Sequence, residues 1–185
     1  MQDYHDFLAE TLISEKQLDQ RIAELGAQIS RDYQGTIVHL VCILRGGVLF
    51  LTDLMRKITI PNTIDFMAVS SYGVGARQAT GHVRITLDLQ EDIRDRDVLL
   101  VEDIVDSGYT ISTVLEFLAT RRPRSLRVCT LLDKSERREI NVPIDYFGFK
   151  IPDKFVFGYG LDIDELYRNL PFIGAVDPER YQPPK

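Results

Sequence analysis

Val98-Leu99-Leu100-Val101-Glu102-Asp103-Ile104-Val105-Asp106-Ser107-Gly108-Tyr109-Thr110 is the stretch from which the fold is read. Its first four residues are apolar without alternation and too few for a helix, so 98–101 is expected to be a strand buried on both faces. That strand runs out into two adjacent carboxylates and a third at Asp106. A small-residue turn then opens a helix expected over 111–120. The turn, 106–110, can present several backbone N–H groups and the hydroxyls of Ser107 and Thr110 at a helix N-terminus, the arrangement that binds a phosphate monoester. Gly108 lets the backbone come close. Glu102 and Asp103 would repel such a phosphate unless they contact hydroxyl groups or a divalent cation. A sugar phosphate with a free diol, bound with magnesium, satisfies both demands. The plainer alternative is that Asp106 only caps the helix and Glu102-Asp103 ends the strand in solvent.

Working outward, the same grammar repeats. Residues 37–44, 63–70 and 125–132 read as further strands, and 48–57 as a helix returning over the sheet. Ser14-Glu15-Lys16-Gln17 fits a capping box, with Leu18, Ile22, Leu25 and Ile29 following at helical spacing. Alternation of apolar strands with helices argues for a parallel α/β sheet whose ligand site lies beyond the C-terminal strand ends. The loops after Leu44, Val101 and Leu132 fall at that edge. Residues 71–81, with three glycines, read as a long mobile loop before a strand over 82–87. Past Pro143, two short aromatic strands over 147–151 and 155–159 read as a flap near the site.

Composition bounds the function. A chain of 185 residues, 44% hydrophobic, suits one domain. Its 22 basic and 28 acidic side chains give a net charge of −6, which opposes nucleic-acid binding and requires any phosphate site to be local. Cys42 and Cys129 lie in apolar runs and are expected to be reduced, buried thiols. The N-terminal residues lack a secretory pattern, and no apolar run approaches the ~20 residues of a membrane helix. A soluble, cytoplasmic protein that contacts no membrane is expected.

The run from Val98 to Thr110 resembles the phosphoribosyl pyrophosphate signature of type I phosphoribosyltransferases, and four more segments are similar to the hypoxanthine-guanine branch of that family. Leu44-Arg45-Gly46-Gly47 resembles its pyrophosphate loop, where the family often has lysine in place of Arg45. Ser70-Ser71-Tyr72-Gly73 resembles the start of its closing loop. Lys134 stands where the family has a lysine donating to the purine 6-oxo group. The segment from Asp153 to Asp162 is similar to its purine-binding strand, and Arg168 matches a residue that contacts pyrophosphate. Tyr109 departs from relatives that carry lysine in the phosphate loop.

The resemblance implies a parallel-sheet, Rossmann-like α/β core over about 35–140. Helices flank it, and a small hood is built from the N-terminal segment and about 143–185, all in one domain spanning 1–185. It implies transfer of a 5-phosphoribosyl group from phosphoribosyl pyrophosphate to hypoxanthine or guanine, with magnesium, in a homodimer or homotetramer. The implied donor and nucleotide contacts are Arg45, Gly46, Glu102, Asp103, Ile104, Val105, Asp106, Ser107, Gly108, Tyr109, Thr110 and Arg168. Lys134, Phe155, Val156 and Asp162 are implied for the purine side, Ser71 and Tyr72 for the closing loop. Glu102, Asp103 and Asp162 are implied around magnesium, and Asp106 as the proton acceptor. A cis peptide at Leu44-Arg45 is also implied. Two rivals stand beside this reading: the same transfer to xanthine or another base, and a regulator of the same fold that binds nucleotide without turnover.

Overall fold

The structure is a computed structural model and describes residues 2–71 and 83–184. Tyr72 and most of the glycine-rich loop lie outside the described residues, as does His82, where the sequence placed a strand start.

In chain order the elements are α1 (Tyr4–Phe7), β1 (Leu8–Ile13), α2 (Glu15–Asp32), β2 (Val38–Leu44), α3 (Val48–Lys57), β3 (Asn62–Ser71), β4 (Val83–Leu87) and β5 (Asp97–Val105). They continue with α4 (Tyr109–Ala119), β6 (Ser125–Asp133), a 3-10 turn at Ser135–Arg137, β7 (Tyr146–Lys150), β8 (Val156–Phe157) and β9 (Ile173–Val176). A six-stranded sheet has the order β4-β3-β2-β5-β6-β7, parallel except at β4. From β2 the chain winds through α3 to β3, whereas from β5 it winds through α4 to β6 on the other side. The strand order therefore reverses between β2 and β5, which opens a crevice at their C-terminal ends.

The central strands are covered on both faces, as their unbroken apolar runs require. Leu40 and Cys42 of β2 and Leu99 and Val101 of β5 pack with Leu18, Ile22, Phe50 and Leu54 of α2 and α3. Val41, Ile43, Val98 and Leu100 pack on the opposite face with Ile111, Val114 and Leu118 of α4. Cys42 and Cys129 are buried free thiols within this core.

Two expectations need correction. Strand β5 does not stop at Val101 but continues through Glu102 and Asp103 to Val105. The acidic pair does not break it because β6 supplies the ladder, with Ile104 opposite Leu132 and Val105 opposite Asp133. On the other side, pairing with β2 ends at Cys42 and Val101, so this last stretch of β5 borders the loop after β2. Second, Tyr146–Lys150, read from sequence as part of the flap, is the edge strand of the main sheet. It pairs parallel with β6, and Tyr146 reaches back to donate its hydroxyl to Asp32 at 2.8 Å.

The small hood is instead an antiparallel sheet of order β1-β9-β8, which joins the two ends of the chain. Phe7, Phe157 and Ile163 form its buried centre, with the Tyr167 and Tyr181 rings 5.3 and 5.0 Å from Phe7. Strands β1 and β9 escaped the sequence reading because β1, Leu-Ala-Glu-Thr-Leu-Ile, has no clear period of its own. Among the described residues no helix is long and apolar enough to cross a membrane.

Helix α2 starts with the reciprocal capping box expected at Ser14 and Gln17. Ser14→Ala should lower the unfolding free energy by about 1 kcal/mol in a urea titration, with an unchanged slope. A loss under a few tenths would mean that the cap contributes nothing.

Candidate active site

The site is built where β5 leaves the protection of β2. Glu102 is buried, at 8% exposure, and its Oε2 has no hydrogen-bond partner among the described residues. Asp103, on the opposite face of the strand, turns one oxygen to its own chain, accepting from the Ile104 N–H at 2.9 Å. Its other oxygen fills the space beside Gly46, where an added methyl carbon would sit 1.6 Å from Oδ2. Gly46 is thus the residue that allows the loop after β2 to lie against this carboxylate. Cys42 and Gly47 pack beneath, and the Leu44–Arg45 peptide is cis.

Beyond Val105 the chain turns through Asp106, Ser107 and Gly108 into α4. Gly108 has φ +95, in the left-handed region, and a Cβ there would lie 2.5 Å from the Ile140 carbonyl. Tyr109 and Thr110 are already helical, two residues earlier than the sequence suggested. Neither α4 nor α3 carries a side-chain cap at its start, in contrast to α2. Uncapped N-terminal N–H groups aimed at a sheet's C-terminal edge are suited to an anion. The turn is held from behind by a segment that sequence reasoning missed. Arg138 donates to the Asp106 carbonyl at 2.9 Å and to Asp133 at 2.6 Å, while the Glu139 and Ile140 N–H groups both donate to the Ser107 carbonyl at 3.0 Å. Tyr109 donates its hydroxyl to Glu139 at 3.1 Å.

Asp106 points one carboxylate oxygen, Oδ2, toward Arg137 at 3.4 Å, and its buried Oδ1 has no hydrogen-bond partner among the described residues. Arg137 also lies 3.8 Å from Asp153, which in turn lies 3.6 Å from the ammonium of Lys134. Lys134 is buried at 5% exposure, unlike an ordinary surface lysine. Phe155 stands out at 60% exposure, an open aromatic face beside the buried Val156. On the other flank, Arg168 pairs with Asp162 at 2.8 Å and donates to the Gly160 carbonyl at 2.8 Å. Arg45 and Arg168 both meet Glu165, a residue the sequence reading passed over.

Asp103 thus lies against Gly46 and within the fields of Asp162 and Arg168, while Asp106 is linked through Arg137 and Asp153 to Lys134. Ser71 ends β3, while Tyr72 lies outside the described residues. Asp162 is not a free third carboxylate beside Glu102 and Asp103. Arg168 takes its Oδ1 and the Glu165 N–H takes its Oδ2 at 2.8 Å. Among the described residues no three His, Cys, Asp or Glu side chains form a ready metal-binding group.

The electrostatics are dominated by removal from water. Burial, reinforced by the charge of Asp103, raises Glu102 well above the usual carboxylate range. Burial raises Asp103 to about 6, against opposing help from backbone N–H groups and Arg168. Both carboxyls hold protons more tightly folded than unfolded. Their stabilising contribution as neutral groups is complete below the unfolded value of 3.8 for Asp103 and is lost as pH rises through about 6. Glu102→Gln and Asp103→Asn should therefore melt higher than the parent at pH 8, by roughly 2–4 °C for each kcal/mol relieved. That advantage should vanish near pH 4. Variants that melt lower than the parent at pH 8 would refute this account of the pair.

Known proteins resemble this chain over most of its length. Residues 10–164 match the family described as the phosphoribosyl transferase domain. A hypoxanthine phosphoribosyltransferase of Escherichia coli (strain K12) is 52% identical over 169 residues, covering 90% of this chain and 94% of the relative. A hypoxanthine-guanine phosphoribosyltransferase of Mycobacterium tuberculosis (strain H37Rv) is 51% identical over 185 residues, covering 97% and 91%. The crystal structure of a hypoxanthine phosphoribosyltransferase from Staphylococcus aureus superposes with a TM-score of 0.92 at 46% identity, covering 97% of each chain. With its switch-point crevice, desolvated acidic pair and uncapped helix starts, this chain belongs to the phosphoribosyltransferase family.

Proposed function

We propose that this protein transfers the 5-phosphoribosyl group of phosphoribosyl pyrophosphate to hypoxanthine or guanine, giving the nucleoside 5′-monophosphate and pyrophosphate. One observation carries the reading. A buried carboxylate, Glu102, and a half-buried one, Asp103, stand together at the end of β5, and four residues past Glu102 a turn offers its backbone to an anion. A ribose 5-phosphate meets both, placing hydroxyls against Glu102 and Asp103 and its phosphate over 106–110. The relatives' names point to the same substrates.

In this reading the backbone of Ile104 to Thr110 and the hydroxyls of Ser107 and Thr110 hold the 5′-phosphate. Arg45 and Arg168 face the pyrophosphate, whose departure leaves positive charge on the ribosyl carbon that purine N9 attacks. Guanidinium groups suit that leaving group because they remain charged and donate in pairs. The protein also fits a magnesium ion: Glu102 Oε2 is buried and unpartnered among the described residues, and a hard cation that takes one or two carboxylates completes its shell with water and phosphate oxygens. Glu102 and Asp103 would hold it, with Asp162 behind, and it would neutralise charge developing on the leaving group.

Phe155 stacks on the base, Val156 offers backbone groups to its edge, and buried Lys134 donates to the 6-oxo oxygen. An ammonium facing the amino group of adenine would be mismatched, so a 6-oxopurine is preferred. Asp106 accepts the proton from purine N7 through its unpartnered Oδ1. We take the working form to be a cytoplasmic homodimer or homotetramer of one-domain subunits.

Steady-state rates with hypoxanthine, guanine, xanthine and adenine, each with magnesium and the donor, check the assignment. Pyrophosphate release with hypoxanthine or guanine, and at most weak turnover of adenine, is expected. No release with any base would mean a binding protein. Asp106→Asn should cut turnover by about 100-fold or more while nucleotide still binds. Undiminished turnover would remove the proton-acceptor role.

A further inference from the structure

The corner that faces the proposed leaving group already contains an anion supplied by the chain itself. One oxygen of Glu165, Oε2, lies 2.6 Å from Arg45 and 3.1 Å from Arg168. A single carboxylate oxygen bridging two guanidinium groups reproduces what a phosphate oxygen would do in the same place.

The backbone is arranged to put it there. Ile163 and Leu166 exchange backbone hydrogen bonds, at 3.2 and 3.1 Å, around a two-residue turn made of Asp164 and Glu165. Both turn residues have positive φ, +52 and +66. Tight hairpin turns of this kind take Asn-Gly or Asp-Gly, and glycine occupies the second position at no steric cost. A glutamate there is strained. It is held by Asp162, whose Oδ2 accepts the Glu165 N–H at 2.8 Å. Local propensity asks for glycine, the chain supplies a carboxylate, and that carboxylate meets both arginines.

The pairs are also of the strength that can be exchanged. Glu165 and Arg45 are 66% and 71% exposed, and Arg168 is 27% exposed. Exposed ion pairs are weak and sensitive to salt, whereas a buried pair would be costly to part. An incoming pyrophosphate group, with more charge and more acceptor oxygens, displaces a single exposed carboxylate.

We infer that Glu165 is a built-in competitor for the pyrophosphate subsite, holding Arg45 and Arg168 while the subsite is empty and retaking them as pyrophosphate leaves. The inference rests on the proposed function, because it takes the two arginines as the pyrophosphate contacts. It adds a residue that weakens ground-state binding of the donor and speeds loss of the product.

The test is calorimetric titration of the full-length protein with magnesium pyrophosphate. Glu165→Gln should lower the Kd about five-fold, since each exposed pair is worth up to a factor of about five. Glu165→Gly, which also relieves the turn, should tighten binding similarly and melt no lower than the parent. The gain should shrink with added salt, and the KM for the base should not move. Asp164→Asn removes the same charge one residue away, where the side chain meets Tyr181 and not the arginines, and should leave the Kd unchanged. Unchanged or weaker binding in both Glu165 variants overturns the inference, as does equal tightening in Asp164→Asn. Arg45→Ala and Arg168→Ala separate it from its parent. If neither weakens pyrophosphate binding, the assignment of the subsite fails. If they weaken it while Glu165→Gln does not tighten it, only the competitor fails.

Discussion

Keeping Glu102 out of water, with Asp103 half-buried beside it, is the constraint on which the rest of this molecule turns. Burial raises both carboxyls, so the ligand-free protein carries a cost at neutral pH that a solvated strand end would avoid. The cost is tolerable because the strand bearing them is held on both edges, by β2 and β6. Val98 to Val101 are fully buried between two cores, and β6 continues the ladder past the point where pairing with β2 ends. The early end of the pairing between β2 and β5 leaves the Gly46 loop its place against Asp103. One strand therefore sets the position of the acidic pair, the basic loop beside it and the turn beyond it.

Helix ends divide the remaining work. Where α2 only has to cover the sheet, its first turn is closed by its own side chains at Ser14 and Gln17. Where α3 and α4 begin at the crevice, both are left uncapped after glycine, which forgoes the stability a cap would add and suits their N–H groups to an anion. The 106–110 turn is instead steadied from behind, through Arg138 and the backbone of Glu139 and Ile140. Support on the far side of the turn leaves its near side open to ligand.

What the sequence made legible follows from the range of the interaction. Strands buried on both faces appear as unbroken apolar runs, and the capping box lies within four residues, so β2, β3, β5, β6 and α2 were readable. The 106–110 turn was readable for the same reason, because its glycine, hydroxyls and carboxylate are contiguous. Tyr146–Lys150 was misplaced because a short aromatic strand looks alike at a sheet edge and in a flap; only its partner, β6, decides. The hood sheet pairs Leu8 with Val176 across nearly the whole chain, a relation with no local mark. Glu165 and Arg138 were invisible as site residues because the contacts that tie them to the site, with Arg45 and the Asp106 carbonyl, span 120 and 32 residues, although each also has a local partner. The turn holding Glu165 bore one local trace, a glutamate where a hairpin prefers glycine, and its meaning emerged only once the hairpin was known.

The most direct test of this account is a crystal structure of the protein with the 5′-monophosphate of hypoxanthine nucleoside bound. The phosphate is predicted to lie within hydrogen-bond reach of the backbone N–H groups of Ser107 to Thr110, with the ribose hydroxyls turned to Glu102 and Asp103. A nucleotide whose phosphate sits anywhere else, leaving that turn empty, would contradict it.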